Sequence, residues 1–283
     1  MSPTAYVLVA VLVPLGIAVG FGIRLFLRQD SLIFRPGPVL DRSPAMIGIR
    51  HEVLELAASD GTPVTAWWVA GDANAPAVVY FHGSEGNLTH ELPVVHFLYS
   101  LGVNALLIEY AGYGFGGGRP NEAGCYRSAD AAWEHVTRQL DFAEDRVILF
   151  GHSLGAAIAA RAAAGRRCAG LVLQSGLTSV RDLAARAYPY LPVGPFLRTR
   201  MEAVGPLRNS RCAVLVIHSR DDEHIPYEQG LRLFDVAAPP KKLVTLRGSH
   251  SDQGWRRSPE IRTAWRELLT QDFRSWAWSP DGA

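Results

Sequence analysis

Arg146–Gly165 reads RVILFGHSLGAAIAARAAAG. The apolar run Val147–Phe150 predicts a short buried strand, and the Ala-rich run after Ser153 predicts a helix that stops at Gly165. Between them lies Gly151-His152-Ser153-Leu154-Gly155. A strand, a tight turn and a helix with a serine at the apex form the G-x-S-x-G nucleophile elbow. Such a turn holds Ser153 in a strained backbone conformation and presents its hydroxyl at the end of a sheet. Gly151 and Gly155 are required where side chains would clash between helix and strand, and Ala156, Ala157 and Ala159 let the helix lie close. The pentapeptide alone says little in a Gly-rich chain; its setting between strand and helix gives it weight.

The other segments supply a sheet for this turn. Residues 51–57 alternate and 64–69 are rich in β-formers, with Asp60-Gly61 as the turn of a hairpin. Residues 77–81, 103–108, 147–150, 169–173, 213–217 and 243–246 are short apolar runs of the fully buried kind. Helical stretches at 88–100, 122–140, 154–164 and 227–237 separate most of them. That alternation predicts an α/β fold, a mostly parallel eight-stranded sheet with helices on both faces. Opening with an antiparallel hairpin, it fits an α/β-hydrolase sheet. Residues 175–211, with Tyr188-Pro189-Tyr190-Leu191-Pro192 and Pro195-Phe196, are too few for a second domain and predict a small cap over the serine. A final helix over 259–274 accounts for Trp255, Trp265, Trp276 and Trp278 as residues packed on the sheet rather than on a membrane.

The 283-residue chain is 48% hydrophobic and 19% charged, enough for one large core. A net charge of +1 gives no support to a nucleic-acid partner. Cys125, Cys168 and Cys212 are scattered, odd in number and without a C-x-x-C, so neither a disulfide framework nor a zinc site is expected. Gly112–Gly117 matches G-x-G-x-x-G after a strand, which raises a dinucleotide site as a rival. Arg119-Pro120 interrupts before any helix opens, and no acidic residue follows a second strand at the required distance. His90-Glu91 with His96 is not a zinc-protease H-E-x-x-H, since Pro93 intervenes.

Met1–Ile23 carries no charged side chain and would span about 35 Å as a helix, enough to cross a bilayer. No Lys or Arg precedes the run and Arg-Leu-Phe-Leu-Arg follows it, which favours a retained anchor over a cleaved signal peptide. The positive residues Arg24, Arg28, Arg35 and Arg42 all lie downstream, so the positive-inside rule places the following domain in the cytoplasm. The expected organisation is an anchor over 1–27, an extended proline-containing linker over 28–48, and a hydrolase domain over 49–283. An Ala/Arg bias hints at a bacterial chain, for which the membrane would be the cell membrane.

A serine hydroxyl becomes a nucleophile when a base takes its proton and an acid orients that base. In this fold the acid and then the histidine follow the serine along the chain, on loops after late strands. His218-Ser219-Arg220-Asp221-Asp222-Glu223-His224-Ile225-Pro226 follows one late strand, and Arg247-Gly248-Ser249-His250-Ser251-Asp252 follows the last. His250 is the base by position. Asp221, Asp222 and Glu223 are all candidates for the acid. The oxyanion hole needs two backbone N–H groups. Leu154, after the nucleophile, supplies one; the loop Phe81-His82-Gly83-Ser84-Glu85-Gly86-Asn87 supplies the other, with Ser84 as donor and Gly83 allowing close approach. Asn87 also suits a helix N-cap.

Taken in order, these stretches resemble the membrane-anchored α/β-hydrolases of the BEM46 type, related to the ABHD12, ABHD13 and ABHD17 groups. The matches are Ser31-Leu32-Ile33-Phe34-Arg35-Pro36, Asp60-Gly61 with Ala66-Trp67-Trp68, FHGSEGN at 81–87, Glu109-Tyr110-Ala111-Gly112-Tyr113-Gly114, Gly151–Gly155, Asp222 with Ile225-Pro226, and Gly248-Ser249-His250. The resemblance implies Ser153 as nucleophile, Asp222 as acid, His250 as base, and Ser84 and Leu154 as oxyanion donors. It implies no metal or cofactor. Two positions depart from the pattern: Ala111 stands where the family has arginine, and Leu177 where it has phenylalanine. Relatives act on lysophospholipids or acylated proteins, so the implied activity is hydrolysis of an ester or thioester, with a lipid-like acyl group favoured by the anchor and the apolar cap. A peptidase or amidase on the same residues, or a non-catalytic binding protein on this fold, are the alternatives. Oligomeric state is not legible.

Overall fold

The structure is a computed structural model that describes residues 2–190, 193–252 and 254–276. Its centre is a sheet of eight strands: β1 (Glu52–Ala57), β2 (Pro63–Val69), β3 (Ala77–Phe81), β4 (Asn104–Ile108), β5 (Val147–His152), β6 (Gly170–Gln174), β7 (Ala213–Ser219) and β8 (Lys241–Leu246). They lie in the order β1-β2-β4-β3-β5-β6-β7-β8. The β1–β2 and β2–β4 pairs are antiparallel, and every pair from β4 onward is parallel. This is the predicted α/β-hydrolase architecture. The inner strands β3, β4 and β6 are buried along their whole length. They read as continuous apolar runs because helices cover both faces.

On one face pack α3 (Glu122–Glu134), α4 (Leu154–Ala163), α6 (Val204–Arg208) and α7 (Tyr227–Val236). On the other pack α2 (Leu92–Ser100) and α8 (Pro259–Thr270). Trp255, Trp265 and Trp276 are buried in that second layer, as expected; Trp278 lies outside the described residues. α4 is nearly all buried, which is why its sequence is mostly alanine. An ideal Cβ on Gly151 would stand 2.2 Å from the Gly155 carbonyl oxygen, and one on Gly155 would stand 2.0 Å from that of Phe81. Both glycines are therefore required by backbone crossing backbone.

Two expectations are corrected. The first concerns the cysteines: Cys168 and Cys212 form a disulfide, with Cα atoms 5.2 Å apart. They lie 44 positions apart in sequence. Cys212 directly precedes β7, and Cys168 lies one residue further ahead of β6, the adjacent parallel strand; the first residues of the two strands, Gly170 and Ala213, are in register. Spacing along the chain could not reveal a pairing made by the sheet. Cys125 is free and buried.

The second concerns the linker. Instead of stopping at residue 27, α1 runs from Pro3 to Ile33. Its polar end is held by the cap. Gln29 Oε1 accepts the amide N–H groups of Arg198 (2.6 Å) and Thr199 (3.0 Å), and Asp30 Oδ1 accepts from Thr199 Oγ1 at 2.8 Å. Beyond the helix, Phe34 is buried in the core and Arg35-Pro36 pairs in parallel with Glu85-Gly86. Pro3–Arg24 is long and apolar enough to cross a membrane, and most of its side chains are exposed. The cap itself holds α5 (Val180–Ala187), a short turn at Gly194–Phe196 and α6. Leu191 and Pro192, in the predicted aromatic stretch, lie outside the described residues.

Candidate active site

Ser153 sits between β5 and α4 with φ 55° and ψ −119°. A β-carbon-bearing residue is strained there. The strain is maintained by the neighbouring packing: Ser153 N–H donates to the Gln174 carbonyl at 2.9 Å, and α4 is locked against β5 by the two glycines. Its hydroxyl oxygen lies 3.0 Å from His250 Nε2. His250 Nδ1 lies 2.7 Å from Asp222 Oδ2. So the structure brings together Ser153, His250 and Asp222 from the ends of β5, β8 and β7.

The protonation pattern follows from the partners. Burial pushes the Asp222 carboxyl up, but hydrogen bonds from His250 and from the amides of Ile225 (2.7 Å) and His224 (3.0 Å) outweigh it and leave the group below its ordinary range. An ionised carboxylate only accepts. His250 Nδ1 therefore carries the hydrogen of that bond, and Nε2 is the ring atom that faces the Ser153 hydroxyl. The three acids that compete in the sequence divide the loop between them. Asp221 takes the Gly248 amide and pairs with Arg247. Glu223 takes the His250 amide at 3.0 Å. Asp222 alone reaches the ring.

The Ser84 amide is aimed by its own peptide. The Gly83 carbonyl accepts a hydrogen bond from His82 Nδ1 at 2.8 Å. In a trans peptide the N–H points away from the C=O, so the Ser84 N–H faces the opposite side. A Gly83 Cβ would meet Ser153 Cβ at 3.4 Å, which places this loop against Ser153. The Ser84 carbonyl is pinned by Tyr113 Oη (2.9 Å) and the Arg35 amide (2.8 Å). Leu154 contributes the first amide of α4, one of the N–H groups a helix start leaves without an intrahelical partner. Both donors line the same cavity as Ser153 and His250.

Several supporting residues escaped the sequence reading. His82 and Glu109 are both fully buried, with Nε2 and Oε2 3.4 Å apart, while Glu109 Oε1 accepts the Leu88 amide. Tyr110 donates to the His82 carbonyl at 2.7 Å. His218 Nε2 donates to the Ile225 carbonyl at 2.8 Å and so fixes the loop that carries Asp222. His152 and His224 each stack with the His250 ring, at centroid distances of 5.5 Å and 5.2 Å. Burial, followed by the neighbouring His250, pulls His152 down to about 3, so it stays neutral beside the base. Buried polar partners follow no period of two or 3.6, and only the motif FHGSEGN and the run Glu109-Tyr110 hinted at them. Gly112, in the declined G-x-G-x-x-G stretch, has φ 78° and no room for a Cβ beside the Pro120 ring. Its glycine is accounted for by a tight loop.

A cavity of about 390 Å³ opens over Ser153. Apolar lining comes from Leu32 and Ile33 at the end of α1, Leu177, and Val180, Leu183 and Ala187 of the cap, and charged lining from Arg35, Glu85 and Glu91. The structure thus brings Ser153, His250 and Asp222 into one hydrogen-bonded line beside a partly apolar cavity that Ser84 and Leu154 also line.

This fold and this site define an α/β-hydrolase, and the chain belongs to the α/β-hydrolase family. A model of the alpha/beta hydrolase family matches residues 78–203. The alpha/beta hydrolase domain-containing protein WAV2 of Arabidopsis thaliana is 30% identical over 79% of this chain and 82% of its own. The uncharacterized protein Rv2307c of Mycobacterium tuberculosis is 33% identical over 89% of this chain and 92% of its own. The lysophosphatidylserine lipase ABHD12 of Bos taurus is 26% identical over 74% of this chain and 62% of its own. Among solved structures, the esterase Pf2001 of Pyrococcus furiosus superposes with a TM-score of 0.71 at 19% identity, covering 84% of this chain and 98% of that one. The BEM46-type resemblance read from the motifs thus holds, with protein bem46 of Schizosaccharomyces pombe 27% identical over 80% of this chain and 79% of its own.

Proposed function

We propose that the protein is a serine hydrolase that cleaves carboxylic esters or thioesters of lipid-like acyl groups. The observation that carries this reading is the continuous hydrogen-bonded line Ser153 Oγ, His250 Nε2, His250 Nδ1, Asp222 Oδ2, at 3.0 and 2.7 Å. In the first step His250 Nε2 takes the Ser153 proton as Oγ bonds to the acyl carbon. The carbonyl oxygen becomes an oxyanion facing the Leu154 and Ser84 amides. The carbon–oxygen or carbon–sulfur bond to the leaving group then breaks, and His250 hands it the proton. Water, deprotonated by His250, attacks the acyl-serine and releases the acid, which regenerates the Ser153 hydroxyl. Asp222 steadies the imidazolium formed in each half-reaction.

The apolar walls from α1 and the cap support an acyl chain, since a cavity of this size falls in the usual range for small-ligand sites, about 300–1,000 Å³. The lipase ABHD12 among the relatives supports an ester of a lipid. The test is labelling of the full chain by a fluorophosphonate probe, followed by a panel of short- and long-chain esters and thioesters. Labelling is expected in the wild type and absent in Ser153→Ala. Labelling that survives this change refutes Ser153 as nucleophile, and no labelling of the wild type favours a binding protein.

A further inference from the structure

The cap touches α1 at two levels. Near the end of the apolar run, the Tyr188 and Phe21 rings meet edge to face at 6.1 Å, and the Phe196 ring lies over Gly22, 3.5 Å from where its Cβ would be. Higher up, Arg198 lies over the Phe26 ring at 4.8 Å and pairs with Asp30 at 3.4 Å. The segment after the Gly194–Phe196 turn therefore climbs alongside the helix, aromatic below and cationic above.

The depth of these contacts can be worked out if α1 crosses the bilayer, a reading on which this inference rests. The apolar run Pro3–Arg24 has 22 residues. At about 1.5 Å per residue it spans roughly 33 Å, against a hydrocarbon core of about 30 Å. Phe21 and Gly22 then fall within about 5 Å of its upper end. Whatever packs on them occupies the same level, the boundary where tyrosine rings are enriched and above which arginine heads reach water. Tyr190, between the two contact points in sequence, is 96% exposed. Tyr188 and Phe196 are also exposed despite their contacts with the helix.

We propose that the tip of the cap, Tyr188, Tyr190 and Phe196, is a second membrane-contact element that sits in the headgroup boundary of the bilayer beside α1. The occupant of this aromatic surface is lipid. Continuity carries the argument, because the patch abuts the segment that would itself be in lipid. The same cap also forms a wall of the cavity through Leu183 and Ala187, one turn before Tyr188. Leu32 and Ile33 form another wall, about 17 Å above Gly22 along the helix.

The test uses the full chain in vesicles of phosphatidylcholine and phosphatidylglycerol. An environment-sensitive fluorophore is attached to Tyr190→Cys or, separately, to Val13→Cys, and quenched by nitroxide lipids of shallow or deep label. The expected result is quenching of the Tyr190→Cys label by the shallow quencher, about twofold or more, with weaker quenching by the deep one. Quenching at Val13→Cys without any at Tyr190→Cys overturns the cap contact and leaves the anchor standing. Absence of both overturns the anchor and this inference with it. Fluorescence at Tyr190→Cys that changes with protein concentration rather than with lipid assigns the patch to a second copy and also overturns it. In a separate readout, a Tyr188→Ser, Tyr190→Ser, Phe196→Ser variant should lose about tenfold in hydrolysis of a vesicle-embedded long-chain ester and keep its rate on a water-soluble short-chain ester. Equal loss on both substrates refutes the interfacial role.

Discussion

Asp222→Asn separates an orienting acid from a structural one. Asp222 Oδ1 receives two amide hydrogens, from His224 at 3.0 Å and Ile225 at 2.7 Å. In the variant, two donors aimed at one point require the amide oxygen there. The new NH₂ group then takes the place of Oδ2, 2.7 Å from His250 Nδ1. It can only donate, so Nδ1 must become the acceptor and the ring hydrogen moves to Nε2. A protonated Nε2 facing Ser153 cannot accept its proton. The expected loss in kcat/KM is about 10⁴-fold, or roughly 5.4 kcal/mol at about 1.36 kcal/mol per tenfold. Stability should change far less. Volume and both amide hydrogen bonds are kept, and the weakened bond to His250 is worth at most about 3 kcal/mol. The pH dependence has a definite sign. The carboxyl of Asp222 is lowered on folding, so its contribution is present above the unfolded carboxylate value of about 4 and is lost as pH falls through the folded value. The gap in stability between wild type and variant should therefore shrink in acid. Steady-state hydrolysis of a soluble p-nitrophenyl ester, thermal melts and the fluorophosphonate labelling rate measure all three. A variant that retains activity within about tenfold of wild type refutes the tautomer argument.

Other perturbations follow from the same geometry. His152 is neutral when folded down to about pH 3 but takes a proton near 6.5 when unfolded. Stability should fall as pH drops from about 6.5 toward 3, by up to about 1.4 kcal/mol per pH unit, and His152→Asn should flatten that slope in pH-dependent denaturant melts. Gly155→Ala drives a Cβ to 2.0 Å from the Phe81 carbonyl oxygen, backbone against backbone, and should cost about 3 kcal/mol or more by denaturant unfolding. Closing a loop of 44 residues, the Cys168–Cys212 bond should contribute about 4 kcal/mol, lost in a Cys168→Ser, Cys212→Ser variant. Mass spectrometry of the denatured wild type should find one alkylated thiol before reduction and three after.

The sheet was legible because its signals are local. Each inner strand is an apolar run bounded by polar or glycine residues, and the order of strand and helix follows from the alternation of runs. The elbow was legible for the same reason, since backbone crowding at Gly151 and Gly155 permits no other residue. Three features were not legible, and each is made by residues remote in sequence. Gln29 and Asp30 extend α1 past its apolar run only because residues 198 and 199 satisfy them. His82 and Glu109 meet because β3 and β4 are neighbours, with Phe81 in register with Ile108. Cys168 and Cys212 meet because β6 and β7 are.

If α1 spans a membrane, that last pairing bears on which side the domain occupies. The arginines after the apolar run argue for the cytoplasm, by a rule that concerns short loops and is weakened when a large domain follows a single span. The disulfide argues for the opposite face, because thiols in a reducing cytosol stay apart whereas an exported domain keeps them joined. The physical weights differ. Charge bias acts once, during insertion. A cross-link that stabilises the folded domain acts for as long as the protein lasts. The proposed lipid contact of the cap is indifferent to this choice, since both leaflets offer a headgroup boundary at the end of a spanning α1. If the disulfide forms in the cell, protease added to intact spheroplasts should digest the domain. A domain that is protected there, with its cysteines reduced in the cell, would restore the reading from the arginine flank.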